Sequence, residues 1–271
     1  MSSTPSNIGK YFDHNGSTPL HPKVHELCTR LQQEEWGNAA APHPPGQSSS
    51  KIMEAARAKL AASLGAEPSE IYFTSGGSES NNWALFGSAR GRTTGHMVVS
   101  AIEHKSVLNA ALELESRGCD LTVLAPRSDG AIHLRDLQAA LRPDTFLVSV
   151  MWANNETGVT QPVREIATLC QKRKILFHCD AVAAMGKLPI DLSQVPCSFL
   201  SLSAHKFHAP KGTGALFIRK GTTLEPLLYG CGHESGLRSG TQSTVAIAGM
   251  AEAAALASAG AFGTQSSIEA R

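Results

Sequence analysis

Lys206 is the side chain in this sequence whose surroundings best suit covalent chemistry. It ends the run Ser203-Ala204-His205-Lys206, which follows the apolar segment 197–202. A lysine partly removed from water deprotonates more easily, and its amine can then form a Schiff base with a carbonyl compound. Most lysines are solvated surface charges, so this position predicts Schiff-base chemistry only in combination with other groups.

An anion site is predicted upstream, in residues 73–82, which have the pattern of a strand, a glycine turn and a helix start. Gly76 and Gly77 let the backbone approach an anion closely, while Ser78 can cap the helix and donate its hydroxyl. A phosphate there meets free amide groups and the positive end of the helix dipole. An ordinary capped helix after a turn is the alternative interpretation.

Two further ionisable side chains follow predicted strands. His104 lies just past the strand 97–100, where its imidazole can stack on an aromatic cofactor ring. The alternative is a histidine that faces water at a helix start. Asp180 ends the apolar run 175–179, and a buried carboxylate is costly unless a cation or charge-assisted hydrogen bond accompanies it. A protonated pyridine nitrogen is such a partner, although a helix-capping aspartate explains the position equally well.

Amide and arginine side chains complete the set of polar groups at strand ends. Asn154 and Asn155 follow the predicted strand 146–151, and one of these amides can bond a substrate carboxylate or a cofactor hydroxyl. Plain turn chemistry is the alternative. The segment 238–241, Arg-Ser-Gly-Thr, offers a second anion site or else a surface loop.

The elements that position these groups alternate between apolar runs and helical patterns. Such alternation predicts an α/β fold with a mostly parallel sheet and helices on both faces. In such sheets a ligand binds outside the carboxyl ends of the strands. The predicted strands are 71–74, 97–100, 121–124, 146–151, 175–179, 199–202 and 215–218. The predicted helices are 21–35, 48–64, 79–89, 106–116, 134–141 and 163–172, with an extended segment at 10–13, a loop at 38–46 and a helix followed by a tail over 251–263.

Composition narrows the function classes. The chain has 271 residues and a formal net charge of +1, which gives no indication of a nucleic-acid or membrane-surface partner. Its six cysteines form no CxxC pair, a usage that fits a reducing cytoplasm. No segment is long and apolar enough to span a bilayer, and no His/Cys spacing matches a structural zinc site, so no metal is predicted.

As a set, these segments resemble the class V, fold-type I enzymes that use pyridoxal phosphate (PLP), and most closely the cysteine desulfurases of the NifS/IscS type. The resemblance runs from Tyr11 to about Gly249. It implies the large domain of the aspartate aminotransferase-like fold, over 21–250, between an N-terminal arm (1–20) and a C-terminal helix or tail (251–271). The matching motifs are 11–19, 37–38, His43, Gly46, 74–82, 103–104, 154–158, 180–181, 205–206, 210–212, 232–234 and 238–241.

The resemblance also implies residue roles. Lys206 and His104 are the expected catalytic residues: Lys206 binds the cofactor covalently, and His104 stacks on its ring. Asp180 is expected to pair with the ring nitrogen. The substrate implied is L-cysteine or a related amino acid, and the products are alanine and an enzyme-bound persulfide. The partners implied are a second copy of the chain and a sulfur-acceptor protein. The phosphate ligands implied are Gly77, Ser78, Ser203 and His205, with Thr241 from the second subunit, and Asn38 and Asn155 face substrate or cofactor oxygens.

Three departures from the family pattern affect the expected activity. Ala183 replaces the usual glutamine whose amide bonds the ring hydroxyl, a loss worth about 1 kcal/mol. Ala204 stands where glycine is common. The family continues beyond the position of Arg271 into a smaller domain, which supplies a persulfide-forming cysteine and a carboxylate-binding arginine without counterparts here. Cys231 is the only cysteine expected to be exposed.

Two alternatives to a desulfurase therefore remain open. One is a related lyase that acts on cystine, cysteine or selenocysteine without a protein thiol. The other is a truncated, non-catalytic protein that binds PLP or dimerises with a full-length relative.

Overall fold

The computed structural model describes residues 11–92 and 94–262, which form a seven-stranded sheet covered by helices. The strands are β1 (Ile71–Thr74), β2 (His96–Ser100), β3 (Asp120–Leu124), β4 (Thr145–Ser149), β5 (Leu176–Asp180), β6 (Phe199–Ser203) and β7 (Gly214–Ile218). The helices are α1 (Pro22–Glu34), α2 (Pro44–Leu64), α3 (Gly77–Ala89), α4 (Lys105–Ser116), α5 (Leu134–Ala140), α6 (Val163–Arg173) and α7 (Thr244–Ser258).

The sheet is mostly parallel, as predicted. Its strand order is β1-β7-β6-β5-β4-β2-β3, and only β7 runs against the others, pairing antiparallel with both β6 and β1. Helical crossovers, which must pack on a sheet face, join the successive strands from β1 to β5, whereas a loop joins β5 to β6. The carboxyl ends of β1, β2, β4, β5 and β6 therefore lie along one edge.

Alternate residues of each strand enter two separate hydrophobic cores. In β2, Val98 packs with α2, α5, α6 and α7 on one face, whereas Met97 and Val99 pack with α3 and α4 on the other. This period of two follows from the pleat of a strand and explains why the central strands are buried along almost their whole length. Both faces of the central strands are thus closed to water, whereas the edge strand β3 is partly exposed.

Most predicted elements agree with the structure within two residues at each end, but two helices begin earlier than predicted. Helix α2 begins at Pro44, because His43 Nδ1 accepts a hydrogen bond from Gly46 N and prolines fit the first helical turn. Helix α7 begins at Thr244 instead of 251, where Ser243 caps it. Residues 11–13 form no strand.

Some predictions fall on parts of the chain that the structure does not describe. The first half of the predicted arm, which includes Lys10, and the end of the predicted tail lie outside the described residues. The division of the chain at residues 20 and 250 stays a prediction. Across 11–92 and 94–262, no helix has the length and apolar character needed to cross a bilayer.

Candidate active site

A cavity of about 210 Å³ opens at the carboxyl edge of the sheet. Its walls come from the start of α3 and from the chain just after β2, β4, β5 and β6. It therefore gathers side chains that are more than 100 residues apart in sequence, as expected for an open α/β sheet. The lining residues are Gly77, Ser78, Asn81, His104, Ser106, Met151, Asn155, Asp180, Val182, Ala183, Ser203, His205 and Lys206.

Lys206 closes the short 3₁₀ helix Ala204–Lys206 that follows β6. Its Nζ donates hydrogen bonds to the backbone carbonyls of Asn15 and Gly16, the latter at 3.0 Å. Partial burial lowers the pKa of this amine, while the charges of Asp13 and Asp180 act in the opposite direction. A depressed pKa favours the neutral amine that a nucleophilic lysine needs.

The N-terminal segment 13–18 lies over the amine and is fastened to the turn after β6. Thr18 donates to the carbonyl of His205 through both N (2.9 Å) and Oγ1 (2.8 Å). Ser17 Oγ lies 3.2 Å from His205 Nδ1. Burial and the neighbouring lysine charges lower the pKa of His205, so its ring stays neutral more readily.

Asp180 ends β5 with its carboxylate buried. Oδ2 accepts from Asn81 Nδ2 at 2.7 Å and Oδ1 accepts from Val182 N at 2.9 Å. No lysine or arginine within the described ranges forms a salt bridge with it. Burial raises the pKa of Asp180, and the two hydrogen bonds and the charges of His104 and Lys206 only partly offset this. The carboxylate would therefore gain from a cation placed beside it.

His104 is the N-cap of α4, where its Nδ1 accepts a hydrogen bond from Ser106 N at 3.1 Å. Ser106 Oγ lies 2.7 Å from the same nitrogen. Asn81 Nδ2 in turn donates to Ser106 Oγ at 2.9 Å. One continuous network therefore joins His104 to Asp180 through Ser106 and Asn81.

Glu103 is a second buried carboxyl group next to the cavity. Its Oε1 accepts from Ser100 Oγ and from Met151 N, both at 2.6 Å. Its buried Oε2 has no partner in the described part of the chain. Burial, reinforced by the charge of Asp180, raises the pKa of Glu103 to about 8. At neutral pH Glu103 is therefore mostly protonated.

The start of α3 forms one wall of the cavity, next to Ser203. Gly76 precedes the helix with φ of 154° and ψ of −176°, a conformation essentially restricted to glycine. A Cβ on Gly77 would lie 2.7 Å from Val182 Cγ2, so a side chain there would press on the loop after β5. Ser78 and Ser203 line the cavity beside these amides. This arrangement is suited to an anion, as a helix N-terminus generally is.

Asn154 and Asn155 have different roles in the structure. Asn154 Oδ1 accepts from Glu156 N (3.0 Å) and Thr157 N (2.8 Å), so it stabilises the turn after β4. Asn155 lines the cavity. Of the two amides singled out in the sequence, only Asn155 can reach a bound molecule.

Two predicted site residues do not line the cavity of the single chain. Asn38 is exposed, and its Oδ1 accepts from Ala40 N at 3.0 Å. Thr241 is also exposed and lies away from this cavity, which neither supports nor contradicts its expected contribution to a second subunit.

One residue of the predicted anion site at 238–241 already has an anionic partner within the chain. Arg238 forms a bidentate pair with Glu79, with Nε to Oε1 at 2.7 Å and Nη2 to Oε2 at 3.1 Å. Its charge is therefore already neutralised, and it is not a free anion ligand. The ion pair instead ties this loop to the first turn of α3.

Cysteine exposure agrees with the sequence-based expectation. Cys231 is exposed, Cys28 is partly buried and the other four cysteines are buried. Burial raises the pKa of Cys179 well above its ordinary value, which makes its thiol inert. Within 11–92 and 94–262, no group of three or more His, Cys, Asp or Glu side chains is arranged to hold a metal.

Sequence reasoning missed Asn81, Ser106 and Glu103. Asn81 belongs to a polar pair, Asn81-Asn82, one turn into a helix whose neighbouring residues are buried, and that contrast is a usable signal. Ser106 offers a simpler sequence signal, because a hydroxyl two residues after a histidine N-cap lies within reach of the imidazole ring. Glu103 offers no comparable pattern.

A lysine amine, an imidazole and a buried carboxylate lie around one cavity at the carboxyl edge of a mostly parallel sheet, and a Schiff-base enzyme with an aromatic cofactor uses this combination of groups. The chain belongs to the aminotransferase class-V family, which it matches over residues 10–270. Aminotransferases of this class and cysteine desulfurases depend on PLP.

Individual relatives agree with this assignment. The chain is 42% identical over 255 residues to the cysteine desulfurase IscS of Methanosarcina thermophila. Two solved structures are similar in fold. A NifS-like protein has a TM-score of 0.89 and 41% identity, covering 91% of this chain and 69% of that one. SspA in complex with cysteine has a TM-score of 0.88 and 42% identity, covering 90% and 72%.

The match extends over most of this chain but not over the whole of its curated relatives. It covers 93% of this chain and 63% of the Methanosarcina thermophila protein. The chain thus spans less than two thirds of the length of that relative.

Proposed function

We propose that this chain is the cofactor-binding part of a PLP-dependent cysteine desulfurase, which removes sulfur from L-cysteine and yields alanine and a persulfide. The observation that carries the proposal is that Lys206, Asp180 and His104 meet at one cavity. Its support from relatives is the 42% identity to a cysteine desulfurase.

The residues around the cavity fit this cofactor. Asp180 is 2% exposed and bonded only to neutral donors, so a protonated pyridine nitrogen would provide the cation that it lacks. The buried Asn81 Oδ1 has no partner among the described residues, which leaves an acceptor beside the same carboxylate. When bound, the cofactor supplies an electron sink for the electron pair released at the substrate Cα.

The chain's own residues have separable roles in the proposal. Lys206 holds the cofactor and afterwards takes and returns a proton at the substrate Cα through its Nζ. Asp180 keeps the ring nitrogen protonated, and His104 covers the ring. The phosphate is assigned to Gly77, Ser78, Ser203 and His205, with Thr241 of a second copy, while Asn155 and Asn38 are assigned to substrate or cofactor oxygens.

A lyase that releases sulfur or selenium without a protein thiol is a second candidate. One observation favours it, since none of the residues that line the cavity within the described ranges is a cysteine. The exposed Cys231 is the thiol with which a persulfide can be tested.

The cofactor site is tested by locating the covalent bond. The chain is incubated with PLP, reduced with borohydride and digested, and the phosphopyridoxyl adduct is mapped by mass spectrometry. We expect the adduct on Lys206 and its loss in Lys206→Ala, whereas Lys211→Ala, five residues on at an exposed position, keeps it. An adduct on Lys211, or none, contradicts the site assignment.

The reaction is tested on the PLP-loaded chain with L-cysteine. Alanine together with a trapped protein persulfide supports the desulfurase. Free sulfide from Cys231→Ala at the wild-type rate supports the lyase. Bound PLP without turnover of cysteine, cystine or selenocysteine contradicts both and identifies a non-catalytic PLP-binding protein.

Oligomeric state and compartment belong to the same proposal. We propose a homodimer, which sedimentation of the purified chain tests, and a sulfur-acceptor protein as partner of the desulfurase. The four buried free thiols suit a reducing compartment such as the cytoplasm.

A further inference from the structure

The starting point is the amide of Asn81, which joins two groups of the candidate site. Asn81 lies one turn into α3, is 1% exposed and uses one amide nitrogen twice. Nδ2 donates to Asp180 Oδ2 at 2.7 Å and to Ser106 Oγ at 2.9 Å. The carboxylate requires the nitrogen on this side, because an amide oxygen at 2.7 Å from Oδ2 would repel it.

The orientation of this amide determines where the hydroxyl hydrogen of Ser106 goes. Ser106 Oγ accepts from Asn81, so its own hydrogen is free to be donated. The acceptor within reach is His104 Nδ1, at 2.7 Å. The backbone nitrogen of Ser106 also donates to that atom, at 3.1 Å. A nitrogen that accepts two hydrogen bonds carries no proton of its own.

We propose that Asn81 is a positioning residue that fixes, through Ser106, the tautomer of neutral His104 with the proton on Nε2. A neutral imidazole carries its proton on one nitrogen, and the bonds at the other nitrogen decide which. Nε2 has no hydrogen-bond partner within the described ranges, so it is the nitrogen available to a molecule in the cavity. The site therefore presents a donor at this point.

This donor restricts what can lie against it. The facing atom of a bound molecule must be an acceptor, such as a thiolate sulfur or a carboxylate oxygen. That restriction on the ligand rests on the proposed function, whereas the tautomer itself depends only on the side chains described above.

Nitrogen NMR of the full chain labelled with ¹⁵N-histidine tests the tautomer directly, with His104→Gln used to assign the signals. In the wild-type chain we expect an unprotonated Nδ1 and a protonated Nε2. In Asn81→Asp, a carboxylate replaces the amide donor and competes for the Ser106 hydroxyl hydrogen. The ratio of Nδ1-protonated to Nε2-protonated His104 should then rise about tenfold, the factor that one lost hydrogen bond is worth.

Two further variants control this experiment. Asn82→Asp is the matched control, because Asn82 Nδ2 donates only to the backbone carbonyls of Ser78 (2.9 Å) and Ser106 (3.3 Å). It should leave the His104 signals unchanged. Ser106→Ala removes the hydroxyl without adding charge next to Asp180, and should raise the same ratio even if Asn81→Asp does not fold.

Three outcomes overturn the proposal: a wild-type His104 protonated on Nδ1, an unchanged ratio in Ser106→Ala, or equal effects of Asn81→Asp and Asn82→Asp. These measurements need no PLP. A correct tautomer without a Lys206 adduct would contradict the proposed function alone, and the reverse result would contradict only the role of Asn81.

Discussion

Two buried carboxylates, Glu234 and Asp180, are surrounded in different ways. Glu234 forms a bidentate pair with Arg57, at 2.7 Å and 3.1 Å, and also accepts from Phe73 N at 3.0 Å and Gln242 Nε2 at 2.9 Å. Asp180 accepts two hydrogen bonds, both from neutral groups. The chain thus pairs Glu234 with a cation of its own, whereas Asp180 can still accept a cation from a bound molecule.

The difference separates a structural role from a binding role. Glu234 and Ser235 have positive φ values, 50° and 56°, which are unfavourable for residues with a side chain. The ion pair with Arg57 holds this turn in place. At Asp180 no comparable backbone strain has to be stabilised, and the buried charge instead faces the cavity.

The largest effect on the free energy of unfolding is expected from Arg57→Ala. It leaves Glu234 buried without its cation, which typically costs about 3–5 kcal/mol. Urea denaturation of the variant measures this loss. The matched control is Arg127→Ala, which breaks a bidentate pair with Asp136 at the surface and should change the free energy of unfolding little. Equal losses at the two sites would show that Glu234 is not held as described.

A pH-dependent effect is expected at Glu103, whose native pKa of about 8 lies above the ordinary value of 4.5. Between these values the native state keeps a proton that the unfolded state has released. The free energy of unfolding therefore falls with rising pH, by up to about 1.4 kcal/mol per pH unit from this group. Glu103→Gln imitates the protonated form and should flatten the decline. Parallel stability profiles of the two proteins would disprove the raised pKa.

A smaller loss is expected from Arg238→Lys. Lysine cannot reproduce the bidentate pair with Glu79, whose two side chains are only 14% and 13% exposed, so about 1 kcal/mol should be lost. Arg117→Lys is the control, because its pair with Glu113 is 61% and 50% exposed and should contribute little. Urea denaturation measures the free energy of unfolding of both variants. A larger loss in Arg117→Lys than in Arg238→Lys would refute the prediction.

The smallest change in stability is expected from Asp180→Asn. The amide oxygen still accepts a hydrogen bond and the burial of a charge is avoided, so unfolding of the PLP-free chain should change by less than about 1 kcal/mol. Binding of PLP, followed by its absorbance, should nevertheless weaken markedly. A large loss of stability with unchanged PLP binding would show that Asp180 has a structural role, like Glu234, and not a binding role.

The sequence predicts the sheet and most of the cavity for a physical reason. Central strands buried on both faces are short apolar runs, and the polar residues that end them share one edge, so Lys206, Asp180, His104 and Asn155 are all found from local patterns. The same logic placed seven strands within two residues of their observed ends.

Pairings between distant residues escape such patterns. Arg57 and Glu234 are 177 residues apart, and Arg238 and Glu79 are 159 apart, so only the folded chain reveals that these charges are neutralised. The start of α2 was missed because prolines suggest a loop, whereas in the first turn of a helix they cost nothing.

The hydrogen bonds between Thr18 and His205 also bear on biosynthesis. The two residues are 187 positions apart, so during translation the segment 13–18 leaves the ribosome long before the turn that receives it. Because both residues must have left the ribosome before they can bond, this contact forms late in synthesis. The cover that the segment 13–18 places over Lys206 therefore forms only after most of the chain has left the ribosome.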